Sequence, residues 1–271
     1  MFNENESTKI NICLPSNSSV ENYPDNKPQH FITELAKPLK LYGKWQVALR
    51  AISYPNNYFN LRESCNLHVS LFPSNEAQPI SYLLIITIPA GRYDNIYNIT
   101  NLIERLVKEE LIPYSPISSA LDAQRPIKVE YSSISKKVTI SSKAVMINLH
   151  FENEELANLL AMPSDTGNLH IPITSTKEVS LKTQLAGCYI YTDIVEATRI
   201  GDTFGKLIQY VPFDSTQETA YKEYINPTYY ELESNEIQTI EIKILDSSGR
   251  LIIFPTGQTN LQLEFKRCDV V

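Results

Sequence analysis

The sequence predicts a mostly β fold, a jelly-roll β-sandwich with a small α+β insertion. Three observations predict it. A two-residue apolar alternation returns in about a dozen segments. That period gives way to helical spacing only between Pro89 and Gly187. The chain has 8 glycines and 16 prolines, so its turns fall to Asn, Asp, Ser and Pro. Long antiparallel strands with long connections favour a jelly roll or a related Greek key over a meander; a closed barrel is the alternative.

The anchor is Lys44–Pro55, K-W-Q-V-A-L-R-A-I-S-Y-P, which holds the one tryptophan. Trp45, Val47, Leu49 and Ala51 share one face, with Gln46, Ala48 and Arg50 on the other. Tyr54-Pro55-Asn56-Asn57 reads as the closing turn. Before it, Lys9–Leu14 alternates as a first strand, and Phe31–Leu41 is a second that Pro38 pushes towards an edge. Asn66–Phe72 alternates Leu67, Val69 and Leu71. Tyr82–Ile88, Y-L-L-I-I-T-I, is apolar on both faces and predicts a central strand covered on both sides.

Helical spacing follows at Ile99, Leu102, Ile103, Leu106 and Val107, with Asn98 as the expected cap and Pro113 as the stop. Ile127–Tyr131 and Lys137–Ser141 predict a hairpin, and Met146–Phe151 a further strand. A short helix capped by Asn153 buries Leu156, Leu159 and Leu160 and stops at Pro163; Asp165–Thr176 reads as loop. Beyond Gly187, Cys188, Ile190, Thr192 and Ile194 alternate with Tyr189, Tyr191 and Asp193. Strands are expected at Lys206–Pro212, Tyr229–Glu233 and Ile237–Ile244. A turn at Asp246–Gly249 then leads into Leu251–Phe254, and Leu261–Phe265 closes the fold. The expected division is a discontinuous sandwich, 1–89 with 186–271, around an α+β insert at 90–185 carrying two short helices.

Composition narrows the function. With 24 basic and 31 acidic residues the formal charge is −7, and no basic run exceeds the pairs Lys136-Lys137 and Lys266-Arg267. That argues against a groove tracking nucleic-acid phosphates. Cys13, Cys65, Cys188 and Cys268 lack metal-cassette spacing and are expected as free thiols. The polar start, Met1–Thr8, predicts no signal peptide, and no apolar run is long enough to span a membrane. The expected protein is made inside a cell, with a polar arm at 1–8 and a charged tail from Lys266.

Catalytic patterns find little support. His30, His68, His150 and His170 are too far apart in sequence for a cupin-type ligand set, and His68 and His150 read as structural. There is no G-x-S-x-G elbow. Gly201-Asp202-Thr203-Phe204-Gly205 is expected to be a turn between strands, not a phosphate loop. Glu109-Glu110 and Glu154-Glu155 read as solvated helix faces. Asp193, Glu196 and Asp202 cluster without the oxygen spacing of a calcium loop. No catalytic, cofactor or metal residue is assigned. A carbohydrate- or receptor-binding sandwich is the competing class, with Tyr54, Tyr58, Tyr229 and Tyr230 as its candidate platform; an enzyme with a dispersed site is the second rival.

A family resemblance enters at the level of whole motifs. L-P-S-N-S-S (Leu14–Ser19), Y-P-D-N (Tyr23–Asn26) and the run from Phe31 to Pro55 resemble the opening of the minor capsid proteins of Polinton/Maverick elements and adintovirus-like relatives. I-T-I-P-A-G-R-Y (Ile86–Tyr93), E-E-L-A-N-L-L (Glu154–Leu160), Y-I-Y-T-D-I-V (Tyr189–Val195) and G-D-T-F-G-K-L-I (Gly201–Ile208) extend the likeness in order along the chain. The resemblance implies a non-enzymatic jelly-roll penton subunit of the virion. Its implied partners are itself, as a homopentamer at fivefold vertices, and a longer double jelly-roll major capsid protein.

Overall fold

The computed structural model describes residues 8–73, 82–111, 127–142, 145–165, 172–181, 186–213 and 218–268. The chain separates into two compact units, 1–58 with 185–271, and 59–184.

The first unit is built on two antiparallel sheets. One has the order β1 (Lys9–Pro15), β17 (Asn260–Arg267), β3 (Trp45–Pro55), β14 (Thr219–Glu223), and β15 (Tyr230–Glu231) also pairs with β3. Because β17 runs along one side of β3 from Trp45 to Ser53, β14 and β15 share the other. The second sheet has the order β13 (Leu207–Pro212), β10 (Gly187–Thr192), β16 (Glu236–Leu245), β2 (His30–Lys40). Taken along the chain, β1, β2, β3, β10, β13, β14, β16 and β17 fall in the first, second, first, second, second, first, second and first sheet. That double Greek key is a jelly roll, and the whole second unit is inserted between β3 and β10.

The core lies between the sheets. Trp45, 4% exposed, belongs to one buried cluster with Val47, Leu49, Ile190, Ile240, Ile242, Leu263 and Phe265, and its indole N–H donates to the Tyr42 carbonyl at 3.0 Å. The alternation of β3 changes phase at a register shift opposite Gln262 and Leu263. Beyond it Ile52 and Tyr54 enter the core, so Tyr54, 2% exposed, is a core ring and not part of a surface turn. Pro38 lies where β2 loses register with β16, on the edge of its sheet, as its missing N–H requires. The turn after β16 forms around Asp246, which accepts from the Ser248 and Arg250 N–H groups. Leu251–Phe254 makes only an isolated bridge to Leu245, not the expected strand, although Ile252 and Phe254 are buried.

The second unit holds two three-stranded sheets. One has the order β5 (Tyr82–Ile88), β4 (Cys65–Pro73), β8 (Val145–Phe151); the other is β6 (Lys128–Ser132), β7 (Lys137–Ser141), β9 (Ile173–Thr174). Helix α1 (Ile96–Leu111) buries Ile99, Ile103 and Val107 against β5 and β6. It begins before Asn98, because the Asn95 side chain accepts the Tyr97 N–H. Pro113, its expected stop, lies outside the described residues. Helix α2 (Glu154–Leu159) is capped by Asn153 as expected, and the same Asn153 oxygen receives the Cys65 thiol at 2.9 Å.

The expected insert began at residue 90, yet residues 59–89 pack with it, because β4 pairs with both β5 and β8 and shares their core. Among the described residues β5 is therefore an edge strand. Leu84, Ile86 and Ile88 point into the core, while Leu83 and Ile85 stand 55% and 49% exposed on the opposite face. Its two apolar faces do not make it central.

Candidate functional site: outer faces of the sheets

No described group of three His, Cys, Asp or Glu side chains is arranged to hold a metal ion. The surface features that remain are the faces and edges of the sheets.

The outer face of the five-stranded sheet is closed by a polar network. Glu264 alternates out of the core between Leu263 and Phe265, yet it is buried. Its carboxylate accepts from Lys9 Nζ at 2.9 Å and from the Tyr229 hydroxyl, and Lys266 Nζ stands 5.4 Å from the Tyr229 ring centre. The Tyr229 hydrogen bond and Lys9 outweigh burial and hold the Glu264 carboxyl below its usual range. Burial and the Glu264 charge push the Tyr229 hydroxyl up to about 12. Arg50 donates to the Tyr224 and Ile225 carbonyls at 2.7 and 3.1 Å and to Glu223 at 2.9 Å. Arg50 and Glu264 thus clamp the two ends of the connection from β14 to β15. The exposed β14 edge carries Lys222 and Glu223, charges that discourage pairing with a foreign strand.

The outer face of the four-stranded sheet is aromatic and less closed. Tyr189 and Tyr210 pair across β10 and β13 with ring centres 5.0 Å apart. Gly187 makes room for this: a Cβ there would lie 2.5 Å from the Val211 carbonyl oxygen and 2.6 Å from the Tyr210 hydroxyl. The hairpin of β11 (Thr198–Ile200) and β12 (Thr203–Gly205) turns at Gly201, where φ is +59°. The glycine-containing run is therefore a strand-to-strand turn, as its sequence suggested. At its end Phe204 is 66% exposed with the Arg199 guanidinium 5.6 Å from its ring centre.

Below the aromatic strip lies a depression of about 310 Å³ lined by Tyr191, Thr192, Asp193, Lys206, Glu241, Lys243 and Leu245. Asp193 Oδ1 accepts the Glu241 N–H at 2.8 Å, and burial pushes its carboxyl above the ordinary value. Lys206 donates to the Asp193 carbonyl at 3.1 Å and pairs with Glu233. Glu241 is held by His30 Nε2 at 2.8 Å and Lys243 Nζ at 2.9 Å. Those partners outweigh burial and lower its pKa. Asp193 lies in this cluster, while the Asp202 and Glu196 side chains are exposed elsewhere on the β10–β13 connection.

Within the second unit the outer face of β5, β4 and β8 joins Leu83 and Ile85 to His68 and His150. The two histidines are direct cross-strand partners, with rings edge-on at 5.7 Å. Sequence separation hid this pairing. The alternation of both strands does place each ring on the outer face, but only the register brings them together. His170 lies outside the described residues. Glu109 pairs with Arg105 at 3.2 Å on the surface of α1, and Glu155 accepts the Arg62 N–H at 3.0 Å. Cys65 and Cys188 are buried free thiols, Cys13 is exposed, and burial pushes Cys188 up to about 12.

The expected sugar platform is not formed by the residues that suggested it. Tyr54 is in the core and Tyr58 stacks on Phe213 with ring centres 4.2 Å apart. Tyr229 is committed to Glu264, and Tyr230 packs against the core. The exposed aromatics of the first unit are instead Phe204, Tyr210 and Tyr221 among others, a result of strand register that composition does not carry.

No protein-family model matches the sequence, and no curated protein matches it at a significant level. Solved structures match it, two of them as follows. The mavirus penton protein matches with a TM-score of 0.51 at 10% identity, over 96% of this chain and 99% of that chain. A chain of the Sputnik virophage structure, determined by electron cryo-microscopy, matches with a TM-score of 0.47 at 10% identity, over 97% and 98%.

Proposed function

We propose that this chain is a structural subunit of a viral capsid, a minor capsid protein of the penton type. One observation carries the reading: the likeness to the mavirus penton protein runs through both compact units and nearly the full length of both chains. A sandwich shared with a penton alone would be common property of many folds. A sandwich with a matched insertion between its third and fourth jelly-roll strands is more particular. The motif-level resemblance of the sequence to Polinton/Maverick minor capsid proteins points the same way.

In this reading the subunit forms a homopentamer at the fivefold vertices of the virion and meets a double jelly-roll major capsid protein. Its role is to fill space and make contacts, and it performs no chemistry. A fivefold ring needs a heterologous interface, two different patches that meet and close by rotation. The first unit offers differing faces for this, one closed by the Glu264 network and one aromatic around Tyr210 and Phe204. No described helix is long and apolar enough to cross a membrane.

The test is to express the chain with its major shell partner and image the particles. Density for this chain at the fivefold vertices is the expected result. Density confined to hexameric or threefold positions would overturn the penton assignment.

A further inference from the structure

We propose that the depression on the outer face of the four-stranded sheet is a binding site for a neutral polyhydroxylated ligand, a glycan residue. The site lies wholly within the first unit and is separate from the question of ring formation. Its walls combine what a sugar needs. Tyr191 supplies a ring for the C–H face, and Leu245 a second apolar contact. Asp193 and Glu241 supply carboxylate oxygens that accept from neighbouring hydroxyls. Lys206 and Lys243 supply Nζ donors.

These groups are held in place before any ligand arrives. The Glu241 N–H fixes Asp193, His30 and Lys243 fix Glu241, and Glu233 with the Asp193 carbonyl fixes Lys206. Preorganisation of this kind lowers the ordering cost of binding. The volume of about 310 Å³ stands at the small end of ligand pockets, about 300–1,000 Å³, enough for one or two rings rather than a long chain.

Charge selects the class. Each lysine is already matched by a carboxylate, Lys206 by Glu233 and Lys243 by Glu241, and Asp193 adds a further acid. A phosphate or sulfate would meet carboxylates on two sides, and a cationic ligand would meet two ammonium groups. A neutral polyol uses donors and acceptors together without adding charge. The elevated pKa of Asp193 is consistent with a carboxylate kept partly dry and lacking a full cationic partner.

The test is saturation-transfer NMR on the full chain with a panel of methyl glycosides of hexoses and N-acetylhexosamines, with inorganic phosphate as a competitor. At least one glycoside should receive saturation. Its affinity should fall about tenfold or more in Asp193→Asn and in Tyr191→Ala, a single lost hydrogen bond or stacking contact being worth about that factor. Tyr221→Ala, on a different sheet, should leave it unchanged. Thermal melts confirm that each variant is folded, and Lys243→Gln serves as a second probe should Tyr191→Ala melt early. Absence of transfer to any glycoside overturns the site, as does binding indifferent to both Asp193→Asn and Lys243→Gln. Displacement by phosphate would overturn the neutral-ligand assignment. None of these outcomes alters where the chain sits in a particle, so the glycan and penton readings fail separately.

Discussion

The two outer faces of the jelly roll carry the same chemistry to opposite ends. On the five-stranded sheet Glu264 is buried and its pKa is lowered; on the four-stranded sheet Asp193 is partly buried and its pKa is raised. Burial acts on both in the same direction. The partners decide the sign. Glu264 has Tyr229 and Lys9 on its carboxylate, which outweigh burial, whereas Asp193 has backbone N–H groups and the Lys206 charge, which do not outweigh burial and the Glu241 charge. One face is therefore finished within the chain, with its hydrogen bonds spent on holding a connection. The other keeps an open depression and an aromatic strip.

The largest effect should come from the core beneath both faces. Trp45→Ala should cost about 3–5 kcal/mol of unfolding free energy in denaturant melts. A loss below about 1 kcal/mol would mean that the ring does not hold the sheets together, and the contrast between their outer faces would lose its common base.

Next is the closed face itself. Glu264→Ala should destabilise by about 2 kcal/mol, because Tyr229 and Lys9 lose a charged acceptor. Tyr229→Phe should cost less, about 1.5 kcal/mol, leaving the Lys9 ion pair in place. Equal losses would show that Lys9 contributes nothing, as exposed ion pairs often do. If neither change is felt, the network is ornament and the two faces do not differ in this respect.

The smallest and most discriminating effect is the pH dependence. Glu264 has a folded pKa below its reference of 4.5, so its contribution is present above 4.5 and is lost as pH falls through the folded value. Asp193 has a folded pKa above 3.8, so between 3.8 and its folded value the folded state binds more proton than the unfolded chain. Stability from this group is present below 3.8 and declines as pH rises through its folded value. Asp193→Asn should therefore leave stability unchanged at the acid end and raise it slightly at neutral pH. Glu264→Gln should do the reverse, lowering stability most at neutral pH. Melting temperatures of the two variants across this range, compared with the parent, give the slopes; slopes of the same sign would refute the contrast.

Edges teach a parallel lesson. Lys222 and Glu223 on β14 are legible as charged positions in the sequence, but β14 itself is not expected from it, since T-A-Y-K-E has no clear alternation. Conversely β5 reads as a buried strand and, among the described residues, is an edge with one exposed face. Local pattern reports what a strand is able to bury. Position in the sheet depends on which strand pairs with it, and β4 takes β5 on one side and β8, from much later in the chain, on the other.

By itself the sequence determined the class of fold, the Trp45 strand as core, the Asn153 cap and the turn at Gly201, because each is a local matter of period, φ or a side chain reaching its own backbone. The tertiary structure alone decided the order of strands, the inclusion of residues 59–89 in the second unit, and the meeting of His68 with His150. It alone also brought His30, Asp193, Lys206, Glu241 and Lys243 together on one face. These positions lie on separated stretches of chain, and residues far apart in sequence become neighbours only through the register of non-local strand pairs, which no local pattern encodes.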